Sequence, residues 1–397
     1  MKTTTYSDAA VFVVQTPFQL YLALAFKRYW SGNADLWLID PALRQFSENA
    51  DLRSSWGEVC YEQVNEKVTG RRRSVSLAFR RLLSLKSVRR RIEKYLKRRK
   101  PAYVFLFADN HEVLASFARI AKQRNGARVI MIEEGTAVLF SFKRTEAPFV
   151  KKIARYLLGV DNWKGYQIGW SPYIDDIIVS SAALAHKDYL GNRRVLEFPR
   201  GPFPPVASEF LEFGAIAVPE FHFDHRDILW LGQPWVEAGE IGIEKENELL
   251  RKLSQDDIVR RVIVKAHPFE DKIKYRAFPE IDVLSDKYDS VPAEVLCETS
   301  RPMCVVSVFS STAVNYCVRA GVQSALIMIP EMPAEIRAVA KAIAANWPSI
   351  RLFEKADNLL LYLHALGEKR AADSVHVDAA GWKMLVSRIV SGSVESH

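Results

Sequence analysis

The sequence predicts an α/β protein built as two Rossmann-like, doubly wound lobes, and three observations predict it. The chain has 397 residues, 49% of them hydrophobic, too many for one ordinary core; division by a typical domain size of roughly 150 residues gives two or three units. Short apolar runs of strand length alternate with stretches of helical periodicity, the rhythm of parallel sheets covered on both faces. That rhythm breaks at residues 200–227, RGPFPPVASEFLEFGAIAVPEFHFDHRD, where Pro, Gly and aromatics follow neither period and mark a connector. Lobes over residues 1–205 and 206–397 are therefore expected, facing a central cleft.

In the front lobe the apolar runs VFVV, ADLWLI, YVFLFA, ARVIMI and DIIV predict strands over 11–14, 34–39, 103–108, 127–132 and 176–179. Helices are predicted over 18–29, 76–100 and 112–124. The rear lobe repeats the pattern, with strands over 228–231, 262–265, 281–284, 304–307 and 323–329 and helices over 243–252, 293–298, 312–319 and 334–344. No internal repeat or low-complexity tract interrupts either half.

Composition excludes several classes. With 26% charged and 11% aromatic residues the chain carries neither a disordered nor a fibrous signature. The four cysteines, Cys60, Cys297, Cys304 and Cys317, have neither the paired spacing of a zinc site nor the density of a disulfide framework, which fits a reducing compartment. The start, MKTTTYSDAA, is polar and the following apolar run is short for a secretion signal; nothing approaches the roughly 20 apolar residues of a membrane span. A cytoplasmic protein is expected, associated with the inner face of the plasma membrane. The net charge of +8 is concentrated, since residues 71–100 hold 14 Lys or Arg against the single acid Glu93. Apolar Leu77, Phe79, Leu82, Leu83, Leu85, Ile92, Tyr95 and Leu96 recur among these charges at helical spacing. The segment reads as an amphipathic basic helix that docks on its own lobe, lies against anionic lipid or guides an acidic glycan.

Ligands of open α/β sheets bind beyond the carboxyl ends of the strands, so the residues after each strand are the first candidates. After the first strand come Gln15, Thr16, Pro17, Phe18 and Gln19; after ARVIMI come Glu133, Glu134 and Gly135; after ILWL come Gly232 and Gln233. Lys265, His267 and Pro268 follow RVIV, and Ser310, Ser311 and Thr312 follow CVVSVF. Two adjacent carboxylates repel one another, which raises the pKa of the more buried one toward that of a general base; the alternative is an acidic helix start. Pro268 holds His267 in an extended turn, where the imidazole can face a leaving phosphate with Lys265 on the same strand face. The hydroxyls of 310–312 stand at a predicted helix start, a position that cradles anions and also simply caps helices. Neither GxxxxGK[ST] nor GxGxxG is present, which argues against a P-loop ATPase or a dinucleotide enzyme. Asp175-Asp176 and Asp256-Asp257 adjoin rather than alternate as a metal pair would, so no metal ligand is assigned and the leaving charge is expected to be met by hydrogen-bond donors and cations.

Taken together these stretches resemble the bacterial sialyltransferases, especially the lipooligosaccharide sialyltransferases and the bacterial polysialyltransferases. The similarity consists of Thr16-Pro17-Phe18-Gln19-Leu20, the acidic pair before Gly135, Lys265-x-His267-Pro268, Pro292-x-Glu294 and Ser310-Ser311. The resemblance implies the GT-B fold, an acceptor-binding front lobe that carries the base and a rear lobe that binds a CMP-sugar. It implies that Glu133 or Glu134 activates the acceptor hydroxyl, that His267 hydrogen-bonds the CMP phosphate, and that Ser310 and Ser311 bind it. Lys265 and the backbone near Pro268 would contact cytosine, and Glu294 the ribose. The sequence departs from the pattern at Thr312-Ala313 and at Thr136-Ala137-Val138.

The resulting expectation is an inverting, metal-independent transfer of sialic acid or a related nonulosonic acid from CMP to a lipopolysaccharide, capsule or other bacterial surface glycan. CMP-Kdo or a UDP-sugar as donor is the alternative within the fold. A nucleic-acid-binding protein working through residues 71–100 is the alternative of another class, though no nucleic-acid fold signature accompanies the segment and no such partner is expected. Homodimerisation stays open.

Overall fold

The computed structural model describes residues 9–63, 75–109, 111–135, 171–191, 193–216, 222–309, 321–347, 349–368 and 377–392. The chain forms two compact units. The first holds Met1–Pro199, Phe213–Ala215 and Ala380–His397; the second holds Arg200–Glu212 and Ile216–Ala379. The boundary falls in the predicted connector. The C-terminal segment, expected in the rear lobe, belongs to the first unit instead.

Unit one is a seven-stranded sheet in the order β3-β2-β1-β4-β5-β6-β7, comprising β1 (Ala10–Val14), β2 (Ala34–Leu38), β3 (Val59–Tyr61), β4 (Tyr103–Leu106), β5 (Arg128–Ile132), β6 (Asp176–Val179) and β7 (Arg194–Glu197). Every pairing is parallel. Its helices are α1 (Pro17–Lys27), α2 (Arg44–Glu48), α3 (Ala50–Ser55), α4 (Val75–Arg99), α5 (Glu112–Asn125) and α6 (Lys187–Leu190). Strands β1, β2 and β4 are buried along their whole length, which explains the unbroken apolar runs of β1 and β4; β2 carries the buried carboxylate of Asp35. α1 starts on a Thr16 N-cap with Pro17 in its first turn, and eight consecutive residues from Gln19 to Phe26 are buried.

Unit two, opened by α7 (Ala207–Phe213), repeats the plan with six parallel strands in the order β10-β9-β8-β11-β12-β13. They are β8 (Asp227–Leu231), β9 (Arg261–Lys265), β10 (Ile281–Val283), β11 (Cys304–Ser307), β12 (Ser324–Ile327) and β13 (Ile350–Phe353). The accompanying helices are α8 (Ile243–Ser254), α9 (Ala293–Thr299), α10 (Ala334–Asn346) and α11 (Ala356–Gly367). In both sheets the order reverses beside the first strand, between β1 and β4 and between β8 and β11, which are the switch points where doubly wound sheets bind ligands.

The closing helix α12 (Ala379–Ser391) is fastened to unit one at two places. Trp382 inserts against Phe26 edge to face, with ring centroids 5.1 Å apart, and stacks on Tyr29. At its C-terminal end, orphan carbonyls of Arg388 and Ile389 accept from Arg194 and Arg128, and that of Val390 from the Tyr103 hydroxyl. The two guanidiniums converge on the fully buried carboxylate of Asp176, each contacting both of its oxygens at 2.5–3.1 Å.

The basic helix α4 docks on its own unit. Leu85, Val88, Ile92, Tyr95 and Leu96 are buried, and Asp35 of β2 accepts from the Tyr95 hydroxyl and from both Nε and Nη2 of Arg99 at 2.6–2.7 Å. Arg89 pairs with Glu93, Arg91 with Glu62 and Arg98 with Glu58. The opposite face carries exposed Lys86, Arg90, Lys94 and Lys97, spaced four, four and three residues apart and hence on one helical stripe. None of these four has a side-chain ion pair among the described residues. No described helix is long and apolar enough to cross a membrane.

Candidate active site

In unit one the predicted residues after β1 and β5 come together. The Thr16 side chain accepts the Gln19 N–H at 3.2 Å and donates to Glu134 Oε1 at 3.1 Å. Gln19, buried, accepts the Gln15 N–H at 2.6 Å through Oε1 and is also a hydrogen-bond partner of the Glu134 carboxylate. Pro17, at the first helical position, holds this turn. The segment after β1 is therefore a helix cap built to orient a carboxylate supplied by β5.

The two acids do different things. Glu133 is 1% exposed; its backbone N–H donates to Ile178 O and its carboxylate accepts the Ser180 N–H at 2.5 Å, which ties the end of β5 to β6. Glu134 is half-buried. Desolvation raises its pKa above the usual glutamate range, opposed by the hydrogen bonds from Gln19 and Thr16. An oriented carboxylate of raised basicity is the form a general base takes.

In unit two the described candidates gather at the ends of β8 and β9. Gly232 N–H donates to the Lys265 carbonyl at 3.0 Å, and the Gln233 side chain donates to Gly232 O at 2.6 Å. The Lys265 ammonium donates to Tyr288 O at 2.8 Å. Burial pushes its pKa down to about 8, against the upward pull of Asp289 and Glu294. Glu294 is buried in the first turn of α9, close enough to act on this ammonium. Pro268 is exposed beside the half-buried His267.

The His267 ring is oriented by its own turn. Nδ1 accepts the Phe269 N–H at 3.2 Å, so the hydrogen-bond network assigns the neutral ring its proton on Nε2. Desolvation lowers the His267 pKa, opposed by Glu270 and Glu237 and assisted by Lys265. Among the described residues Nε2 has no hydrogen-bond partner. The outcome is a neutral N–H donor, ready for an anion.

Ser310, Ser311 and Thr312 lie outside the described residues. The backbone leading to them turns at Phe309, whose φ of 101° is in a region that a residue with a side chain adopts at a cost of about 1–3 kcal/mol, the kind of strain that gathers at functional sites. Sequence reasoning missed this turn. It also missed Glu270, whose one available signal was the His-x-x-Glu spacing of a tight turn.

Among the described residues, Asp256, Asp257 and His364 offer ligand atoms within 4.8 Å of one another. His364 Nε2 lies 3.0 Å from Asp256 Oδ1 and 3.6 Å from Asp257, and Asp256 also accepts the Ile258 N–H. These are ion-pair distances joining α11 to the loop before β9. Asp175 and Asp176 are committed to Lys122 and to the two arginines.

Residues 199–328, which include β8 to β12, match the model of the alpha-2,8-polysialyltransferase family. The chain is similar to that family over this part. Its fold is similar to that of the UDP-GlcNAc 2-epimerase of Methanocaldococcus jannaschii, at 12% identity and a TM-score of 0.59 over 97% of this chain and 100% of the other. UGT89C1 of Arabidopsis thaliana aligns at 11% identity and 0.51 over 96% and 94%. A UDP-glucosyltransferase of Polygonum tinctorium aligns at 13% and 0.50 over 98% and 99%. These likenesses identify the fold as GT-B. They include an epimerase beside transferases, so the fold alone does not select the chemistry. Comparison with curated proteins finds no match.

Proposed function

We propose that this protein is a glycosyltransferase that moves sialic acid, or a related nonulosonic acid, from its CMP derivative to a hydroxyl of a bacterial surface glycan, with inversion and without a metal. The observation that carries the reading is His267, a neutral Nε2–H donor at a strand end within the segment that matches the polysialyltransferase family. In the proposed reaction the acceptor hydroxyl gives its proton to Glu134 as its oxygen attacks the anomeric carbon. The bond from that carbon to the phosphate oxygen breaks, and the departing phosphate charge is met by His267 and the hydroxyls of Ser310 and Ser311. The backbone about Lys265 and Pro268 would receive the cytosine and Glu294 the ribose hydroxyls.

Ligand binding to the folded state stabilises it by linkage, by about 2.7 kcal/mol at a hundredfold excess over Kd, and so raises its melting temperature. CMP should therefore stabilise the protein more than UDP does, and CMP-sialic acid with a panel of oligosaccharides should give product. His267→Ala should lower turnover sharply and leave a measurable residual rate. A larger shift with UDP, with transfer from a UDP-sugar, would replace the donor assignment.

The cationic stripe of α4 supports a second part of the proposal, peripheral contact with an anionic membrane surface on the cytoplasmic side. Each Lys or Arg near such a surface contributes about 1 kcal/mol. Converting Arg90, Lys94 and Lys97 to Glu should abolish sedimentation with phosphatidylserine vesicles. Because none of the three is ion-paired, the melting temperature and CMP affinity should stay close to wild type. Unchanged vesicle binding would remove this part.

A further inference from the structure

The turn that carries His267 is latched from beneath by a carboxylate. The Glu270 side chain is fully buried, and one oxygen, Oε2, accepts the His267 backbone N–H at 2.5 Å. In return the Glu270 N–H donates to the His267 carbonyl at 2.9 Å. The intervening Phe269 N–H is thereby left pointing at the ring, where it bonds Nδ1. The other oxygen, Oε1, receives the Tyr275 hydroxyl at 2.9 Å and the Lys274 ammonium at 2.6 Å. That lysine is shared with buried Glu246 at 2.8 Å and has Glu237 at 3.5 Å.

The same carboxylate explains a glycine. A Cβ at position 232 would lie 1.9 Å from Glu270 Oε2 and 2.7 Å from its carboxyl carbon, an overlap relieved only by moving the carboxylate away from the donors that hold it. Gly232 is thus the floor of the Glu270 pocket, and the end of β8 is shaped around the carboxylate that holds the end of β9. Burying a carboxylate and an ammonium is expensive unless every lone pair is matched. Here three donors converge on one group whose position determines a backbone turn.

We infer that Glu270 is the positioning residue of His267, fixing through the backbone of the 267–270 turn the ring tautomer that presents Nε2–H outward. The role rests on the proposed contact of His267 with the leaving phosphate. Glu270 itself touches no reacting atom. Its charge has a separate effect on the ring: together with Glu237 it draws the His267 pKa upward, against burial and Lys265. Replacing it by Gln keeps the shape, removes the charge, and exchanges an acceptor for a group that can turn a donor toward the His267 N–H.

The test uses the full chain and two independent readouts. Nitrogen NMR of the His267 ring without ligand should show a single Nε2–H tautomer in wild type. In Glu270→Gln it should show a mixture of tautomers and a titration moved to lower pH. CMP-sialic acid transfer by Glu270→Gln should fall roughly 10- to 100-fold in kcat, the range for groups that orient a reacting side chain, with CMP affinity near wild type. In a His267→Ala background the same change should have little further effect on kcat, whereas a merely structural role would lower both backgrounds alike. Tyr275→Phe, which keeps the carboxylate and removes one donor, gives a milder version of each effect should Glu270→Gln fail to fold. An unaltered His267 tautomer in a folded variant, or additive losses in the double mutant, overturns the inference. Absence of transfer by wild type with every donor overturns the function reading instead, and the ring spectra still decide the latch.

Discussion

Glu134→Gln is expected to lower the turnover number by about 10²–10⁴-fold, the contribution of a positioned general base, with CMP binding left intact. The carboxamide keeps the size and can still accept the Thr16 hydroxyl, so lost basicity is the change that remains. Glu133→Gln should behave oppositely. Its carboxylate serves Ser180 inside the sheet, so weakening that contact is expected to lower stability by about 1–2 kcal/mol and leave the rate near wild type. The pH profile sharpens the distinction. A base must be ionised, and desolvation raises the Glu134 pKa, so the acid limb of kcat/KM should lie above the ordinary glutamate range. The Thr16 hydrogen bond favours the ionised form; Thr16→Val should therefore move that limb further toward neutral pH. A collapse of kcat in Glu133→Gln with an active Glu134→Gln would exchange the two roles.

What the sequence made legible follows from burial. Central strands such as β1, β4, β5 and β8 have apolar runs that could be read within a residue or two, although β5 starts on Arg128 and β8 on Asp227. The missed strands β3, β7 and β13 are short and only partly buried, and a three- or four-residue edge segment carries no period. Connector residues 200–227 hid α7 for a similar reason, since its seven residues lie among Pro and Gly. The acidic pair was visible as a pair, but neighbours beyond β1 and β6 separate its members into a carboxylate that ties β5 to β6 and one held by the cap of α1. Glu270 was invisible because its importance lies in what surrounds it: Gly232 and Lys274 are ordinary letters until the fold places both against one carboxyl group. The basic segment was legible as an amphipathic helix; which cations are committed, as Arg91 and Arg99 are, depends on acids from β2 and the end of β3.

Asp176→Ala should be the most damaging single change to stability outside the site, at about 3–5 kcal/mol, because it strands two guanidiniums that are now matched on both oxygens of one carboxylate. For a folding unit of roughly 200 residues about 2–4 °C of melting temperature is lost per kcal/mol, so a drop of about 6–20 °C in the transition of unit one should be seen by calorimetry. The loss should also be local before it is global. Arg128 and Arg194 hold the last carbonyls of α12 as well as Asp176, so releasing them frees that helix end while the Trp382 contact with Phe26 persists. Amide exchange over 379–391 should accelerate in the variant at temperatures where β8 and β9 remain protected. Uniform acceleration across both units would show instead that Asp176 supports the whole fold rather than the attachment of its closing helix. Replacing Arg128, Asp176 and Arg194 together by apolar residues should recover part of the lost stability, since it is the unmatched charge, rather than the absence of attraction, that makes the single substitution costly.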